Sequence, residues 1–391
     1  MKIRLIAGFA FLLFTTNTTA QDPDLENIAQ NIITQVAKVQ PGEIVLIRGS
    51  GESLEIVEEL VAATFIAGGH AIPTIDFPEA RIKIAQESPM EYLLQERKAD
   101  LALLEVLDVI IDATPGFTSR VMSLDIPMER RFAAQDGRAT YFEAVADSSH
   151  RQIYLGQSSG VPSLAFTQDI GADFEEFTDI FWRAVSVSTE ELKSISDGIA
   201  EIMLPGTEVH LAGPNGTDLT FTLSNEPAWI NTGQIPNKAE SGPTEIILPA
   251  GEFASCVDIS SANGVVYAPI YRWRFQDVYG LTLTFEDGVV TDMSAENGGE
   301  ALREFLASLE IPSRALSLVN IGLNAESKVP TGSTYRSWEM GGVVTVFMGD
   351  NTQSGCGHTA DFRLHPQIEG LTLTVGGQPI VIEGEVYRGP P

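Results

Sequence analysis

Basic residues are scarce in this chain. It has 24 lysines and arginines against 53 aspartates and glutamates, a formal net charge of -29 over 391 residues. The acidic residues are spread along the chain rather than gathered in one tail. That distribution excludes nucleic acid as a partner, because phosphate binding needs basic clusters. It weighs less strongly against anionic membranes. Cysteine is nearly absent. Two residues can pair with each other but cannot build a disulfide-rich scaffold. There are five histidines, with no His-Glu-x-x-His and no Cys-x-x-Cys among them, so the usual zinc signatures are missing. His70 and His210 fall in strand-like stretches and read as structural, and His150 sits in a polar loop. Internal repeats and low-complexity segments are absent too.

Long apolar runs are confined to the N-terminus. Lys2 and Arg4 precede "LIAGFAFLLF", which is too short to span a bilayer, and "TTA" before Gln21 offers small residues for cleavage. Residues 1–20 are therefore expected to be a signal peptide. The protein is expected to be periplasmic or secreted, with no membrane span after signal removal.

The remainder predicts an α/β fold, an N-terminal parallel-sheet α/β (Rossmann-like) domain at 21–187 followed by a β-rich mixed α/β domain at 188–391. "GEIVLIRG" is a continuous apolar run, as in a strand buried on both faces. A helical pattern follows in "ESLEIVEELVAATFIAGG", then a strand in "HAIPTIDF", a helix in "SPMEYLLQERKADLALLEV" and a strand in "LDVIIDATPG". Residues 127–146 read as helical. "RQIYL" and "PSLAF" read as short strands, and helices are expected near Asp173–Ala184 and Thr189–Met203. Beyond Ser188 hairpins dominate. Asn215-Gly216 and Asp287-Gly288 mark two turns, "LTLTVGGQPIVIEGE" makes a third hairpin, and one helix, "NGGEALREFLASL", interrupts them.

Two general motifs are weak. "GSGES" (Gly49 to Ser53) joins a strand to a helix start, but Leu54 stands where a dinucleotide fingerprint needs its third glycine. "GQSSG" places Ser158 in a nucleophile-elbow pattern, which requires a helix immediately after it, and "VPSLAF" reads instead as a strand. The densest chemistry is in "TQSGCGHTADFRLH", where Cys356, His358, Asp361 and His365 fall within ten residues.

Several longer segments, taken in order, resemble the aminopeptidase T-like metallopeptidases. They are "VQPGEIVLIRGSGESLEIVEELVAATFIAGGHAIPTI", "LPAGEFASCVDISSANGVVYAP", "GLTLTFEDGVVTDMSAENGGEALREFLAS", "LVNIGLN", "WEMGGVVTVFMGDN" and "TADFRL". The resemblance covers nearly all of the mature chain. It implies the α/β fold and a homodimer. In active members it implies two divalent metal ions, held by carboxylates and histidines around a bridging water that the ions acidify.

Taken residue by residue, the resemblance matches two glutamate ligands with Glu252 and Glu339 and an aspartate with Asp361. Leu318 stands where another glutamate belongs, Thr345 and Thr359 where histidines belong, and His358 is one residue out of register. What the resemblance leaves, Glu252, Glu339, His358 and Asp361, is a vestigial or weak set. It suits no metal or a loosely held divalent ion on oxygen ligands, rather than a pair of ions that favour imidazole. Ring-cleaving dioxygenases of the same fold group hold one iron with two histidines and a carboxylate, and that triad also fails at Thr345. Two functions follow as expectations: a non-peptidase relative that binds a small peptide or small molecule or has an assembly role, or an aminopeptidase with a rebuilt site. Because Glu252 and Asp361 match residues that converge in the family, Cys256 and Cys356 are expected to lie close enough for a disulfide. Two buried thiols, or Cys356 as a thiolate ligand, are the alternatives.

Overall fold

The computed structural model describes residues 23–116, 126–146, 148–156, 159–226, 229–235, 245–274 and 276–387. The expected signal peptide and Ser158 lie outside these residues. Among the described residues no helix is long and apolar enough to cross a membrane.

The N-terminal half is built on a parallel sheet in the spatial order His70–Asp76, Ile44–Ser50, Val109–Asp112, Arg151–Leu155, Glu245–Leu248. The apolar run of the first strand is explained by its position, with parallel neighbours on both edges and Val45, Leu46 and Ile47 all buried. Helix Leu54–Ile66 packs on one face through Ile56, Val57 and Leu60. A layer of short helices between 78 and 146 stands over the strands' carboxyl ends. Its first member, Pro78–Glu87, buries no side chain. It therefore has no apolar stripe by which a sequence pattern reveals a helix.

The sequence expectations fail in two places here. "PSLAF" is no strand. The Ser163 hydroxyl accepts from the Phe166 amide at 3.2 Å and caps helix Leu164–Ile170, a local bond that decides the segment in favour of helix. The helix still starts six residues after Ser158, too late for a nucleophile elbow. The single helix expected in "SPMEYLLQERKADLALLEV" is two, Met90–Leu93 and Lys98–Leu104, separated where "QERK" supplies no apolar contact.

The C-terminal half contains two antiparallel sheets. The larger runs Val289–Ser294, Gln276–Glu286, Asn263–Trp273, Asp218–Thr222, Glu208–Ala212, Thr372–Val375, Gln378–Ile382, Glu385–Val386. All three expected hairpins lie in it. At the second turn Asp287 and Gly288 both have positive φ, +48° and +88°, the geometry that matches strand twist. The long strand Asn263–Trp273 was hidden in the sequence by Pro269, a residue that removes a ladder donor. The other sheet, Trp229–Asn231, Glu252–Cys256, Leu316–Gly322, Val344–Gly349 and the interrupted edge Arg363–Leu364 and Gln367–Ile368, carries the candidate site. The halves are interlocked. Glu245–Leu248, well past Ser188, pairs in parallel with Arg151–Leu155 and finishes the first sheet. One hydrophobic cluster runs from Ile28 through Ile111 and Phe253 to Val381.

Candidate functional site

Antiparallel pairing sets side chains opposite one another in rows across one face of the smaller sheet. One row holds Asn231, Glu252 and Gly322. The next holds Trp229, Ala254, Asn320, Thr345 and Gln367. The third holds Cys256, Leu318 and Phe347, with His365 continuing the same register on the edge strand. Every residue whose identity decides the metal question on these strands therefore shares one face.

Glu252 is 1% exposed, and neither of its carboxylate oxygens has a hydrogen-bond partner. Burial, and then the charge of Glu339, push its pKa well above the usual carboxylate range, and the neighbouring Asn231 side chain opposes the shift. Glu339 reaches the same corner from the loop before Val344–Gly349. Gly322, paired with Glu252, lies so close to the Glu339–Met340 backbone that a side chain there would collide. The Glu339 carboxylate accepts from Ser327 Oγ at 2.9 Å and from Ser337 Oγ. Burial raises its pKa, and these hydroxyls oppose the shift. Tyr335, near the pair, is pushed above its ordinary pKa by burial and by Glu339. The serines and Tyr335 had no recognisable spacing in the sequence.

In the middle row Asn320 and Thr345 face each other. Both are buried, and Asn320 Oδ1 and Thr345 Oγ1 lack partners. Among the described residues Asn320 donates to the Trp338 carbonyl alone, at 2.9 Å. In the third row Leu318 packs with Ala254, Cys256, Phe347 and Cys356 against Trp229 and Trp338. The imidazole that reaches this face is that of His365. Its ring contacts Trp338, Phe347 and Tyr271 at centroid distances of 5.2, 5.5 and 6.2 Å. Burial lowers its pKa to about 4, so it is neutral at physiological pH.

His358 and Asp361 belong to the loop before the edge strand. The His358 backbone N–H donates to Asn351 Oδ1 at 2.8 Å, and its carbonyl accepts from the Asn351 N–H at 3.0 Å. Asp361 is exposed. Glu252 and Glu339 come together, but the full expected set of four does not. Among the described residues the one group of three or more acidic, histidine or cysteine ligand atoms within 4.8 Å of one another is Glu226, Cys256 and Cys356. Cys256 and Cys356 are joined by a disulfide with Cα atoms 5.9 Å apart, which removes both as thiolate ligands and leaves one carboxylate. The strand places Cys256 beside Leu318, so the bond lies against the position where a glutamate ligand was expected.

A cleft of about 630 Å³ opens on this region. Asp112, Thr114 and Gly156 at the parallel strands' carboxyl ends form one side, and Tyr335, His365 and Gln367 belong to the other. The donors fit poorly to a pair of transition-metal ions. Glu252 lies in the first row and His365 in the third, four residues along the strands or about 13 Å, and Glu339 comes from a loop outside the rows. The middle row supplies only the neutral oxygens of two amides, Asn320 and Gln367, and one hydroxyl, Thr345. Zinc-class ions favour imidazole or thiolate.

Three comparisons bear on this geometry. Residues 21–329 match the family model described as thermophilic metalloprotease (M29). That span ends ahead of Glu339, Thr345 and Asp361. Aminopeptidase PepS of Streptococcus thermophilus is 23% identical over 326 residues, covering 72% of this chain and 73% of that protein. Among solved structures, wild-type AmpT from Thermus thermophilus superposes with a TM-score of 0.70 at 18% identity, over 93% of this chain and 98% of that one. The 2,5-dihydroxypyridine dioxygenase of Pseudomonas putida KT2440 gives 0.57 at 15% identity, over 93% and 97%. Both likenesses establish the two-part α/β fold. Because the family model matches residues 21–329, most of the chain, the chain belongs to the thermophilic metalloprotease (M29) family of aminopeptidase T-like proteins.

Proposed function

We propose that this chain is an exported, non-peptidase member of its family that uses the cleft between its halves for binding or assembly. The observation that carries the reading is the third row of the site face. Leu318, Phe347 and the Cys256–Cys356 disulfide form an apolar, cross-linked surface there, where an active relative needs ligands. The disulfide also supports an oxidising compartment, periplasmic or extracellular. The cleft's size and mixed lining suit a small peptide or a small molecule, and a homodimer is the proposed assembly, by analogy with the family.

Metal content of the purified mature protein, measured together with hydrolysis of amino-acid nitroanilides in added cobalt, zinc or manganese, tests the proposal. The expected outcome is less than one tightly bound ion per chain and no turnover. Two ions per chain held at sub-micromolar affinity, with ordinary enzymatic turnover, would sink it. Sedimentation velocity tests the dimer.

One observation favours the second reading, a metal-dependent aminopeptidase releasing N-terminal residues. Glu252 and Glu339 are adjacent buried carboxylates, and against burial and the charge of Glu339 the Asn231 side chain is the one group that favours ionised Glu252. Such a pair is relieved by a bound cation.

A further inference from the structure

We infer that the N-terminal half carries a second site, at the carboxyl ends of its parallel strands, for a small organic anion: a carboxylate or phosphate ester on an apolar or aromatic body. Its cavity adjoins the cleft described above and shares Arg81, Asp112 and Thr114 with it, but Arg97, Arg131 and Arg138 line this cavity and not the cleft.

Numbered by chain position, the sheet runs second, first, third, fourth, fifth. The order reverses between Ile44–Ser50 and Val109–Asp112. At such a reversal the connecting segments leave in opposite directions, and a crevice opens outside the strand ends. A cavity of about 700 Å³ lies there, with Gly49, Thr74, Asp76, Asp112 and Thr114 at the strand ends. The layer of helices from 78 to 146 supplies the opposite wall.

The charge of that wall is unlike that of the chain. Five arginines, Arg48, Arg81, Arg97, Arg131 and Arg138, line the cavity against three aspartates, Asp76, Asp100 and Asp112. Acidic residues outnumber basic ones 53 to 24 over the whole sequence. Each aspartate is matched to one arginine: Arg48–Asp112 at 3.9 Å, Arg81–Asp76 at 2.9 Å and Arg97–Asp100 at 3.2 Å. Arg131 donates through Nε to the Ile126 carbonyl at 3.0 Å.

Arg138 is different. Its guanidinium carbon lies 4.7 Å from the centroid of the Phe142 ring, and its Nε is buried without a hydrogen-bond partner. Burial and the charges of Arg97, Arg81 and Arg48 all disfavour its protonated form. The backbone fixes it in this place, because any side chain at Gly137 would collide with the Leu93 carbonyl. A cation held among three others, with an orphaned donor, is unfavourable until an anion joins it, and guanidinium forks match carboxylate and phosphate oxygens. The remaining lining, including Tyr92, Leu103, Leu104, Tyr141 and Phe142, suits an apolar body. Asp76 and Asp112 hold Arg81 and Arg48 in position, and their own charge limits the site to a compact anion.

Calorimetric titration of the full mature chain with 1-naphthyl phosphate, 1-naphthoate and neutral 1-naphthol tests the site. At least one anion should bind in the micromolar range and at least tenfold more tightly than 1-naphthol, and the tighter of the two identifies the head group. Arg138→Leu should weaken that anion at least tenfold, while the ligand-free melting temperature stays level or rises because a repelled cation has gone. Arg97→Gln, at the half-exposed rim, should weaken it severalfold and keeps the test open if the first variant does not fold. Naphthol binding as tightly as the anions, neither anion binding at millimolar concentration, or wild-type affinity in a folded variant would each overturn the inference.

Discussion

Glu252 carries two carboxylate oxygens into a buried place where, among the described residues, neither has a hydrogen bond of good geometry, and the Asn231 side chain offsets the burial only in part. Because its folded pKa is raised, the stability it contributes is fully present below its unfolded pKa and is lost as pH rises through the folded value. Glu252→Gln should therefore raise stability at pH 8, by roughly 1–3 kcal/mol, and flatten its alkaline slope. Urea midpoints at pH 4.5, 6 and 8 check this. A destabilised glutamine variant that also loses metal would favour the aminopeptidase reading. His365 has the opposite sign. With a folded pKa of about 4 against roughly 6.5 unfolded, its contribution is present above pH 6.5 and lost as pH falls toward 4. That loss is at most ~3 kcal/mol. His365→Phe should remove that contribution and shrink the loss of stability between pH 6 and 4.5 in the same titration.

Asn324 shows how a loop residue can join elements. It is buried. Its amide donates to the carbonyls of Ala184 and Ala250 at 2.9 and 2.8 Å and accepts from the backbone of Glu326 and Ser327 at 3.1 and 3.2 Å. It thus ties the end of helix Phe174–Val185 to the segment entering Glu252–Cys256 and to the loop carrying Ser327. Asn324→Ala leaves those groups buried without partners and should cost at least ~3 kcal/mol, measured by denaturant unfolding.

Elements whose signal is local were legible in the sequence. The turns at Asn215-Gly216 and Asp287-Gly288, the buried run "IVLIRGS" and the stripe of helix Phe174–Val185 all specify themselves. Segments decided by one side-chain bond, as at Ser163, or by no apolar face, as at Pro78–Glu87, did not. The same division holds in the candidate site. Glu252 lies on a strand whose register can be followed, whereas His358 and Asp361 lie on a loop where alternation of faces has no meaning. His365, back on the strand register, is the residue that reaches the face.

At the scale of the whole molecule, the Cys256–Cys356 bond closes a loop with a separation of 100 residues. In the chain-entropy model such a closure is worth ~4–5 kcal/mol, often less in practice. Unfolding in urea with and without a phosphine reductant should show a lower midpoint for the reduced protein. Thiol alkylation of unreduced, denatured protein should label neither cysteine.

The strand Glu245–Leu248 also has a consequence in time. Its partner Arg151–Leu155 emerges from the ribosome about ninety residues earlier, or about 5–20 s at ordinary synthesis rates. During that interval the nascent sheet ends in a bare ladder of amides and carbonyls, the kind of edge to which any passing strand adds. The N-terminal half cannot complete its sheet until residue 248 has been made, and a fragment ending near Ser188 lacks the strand that covers that edge.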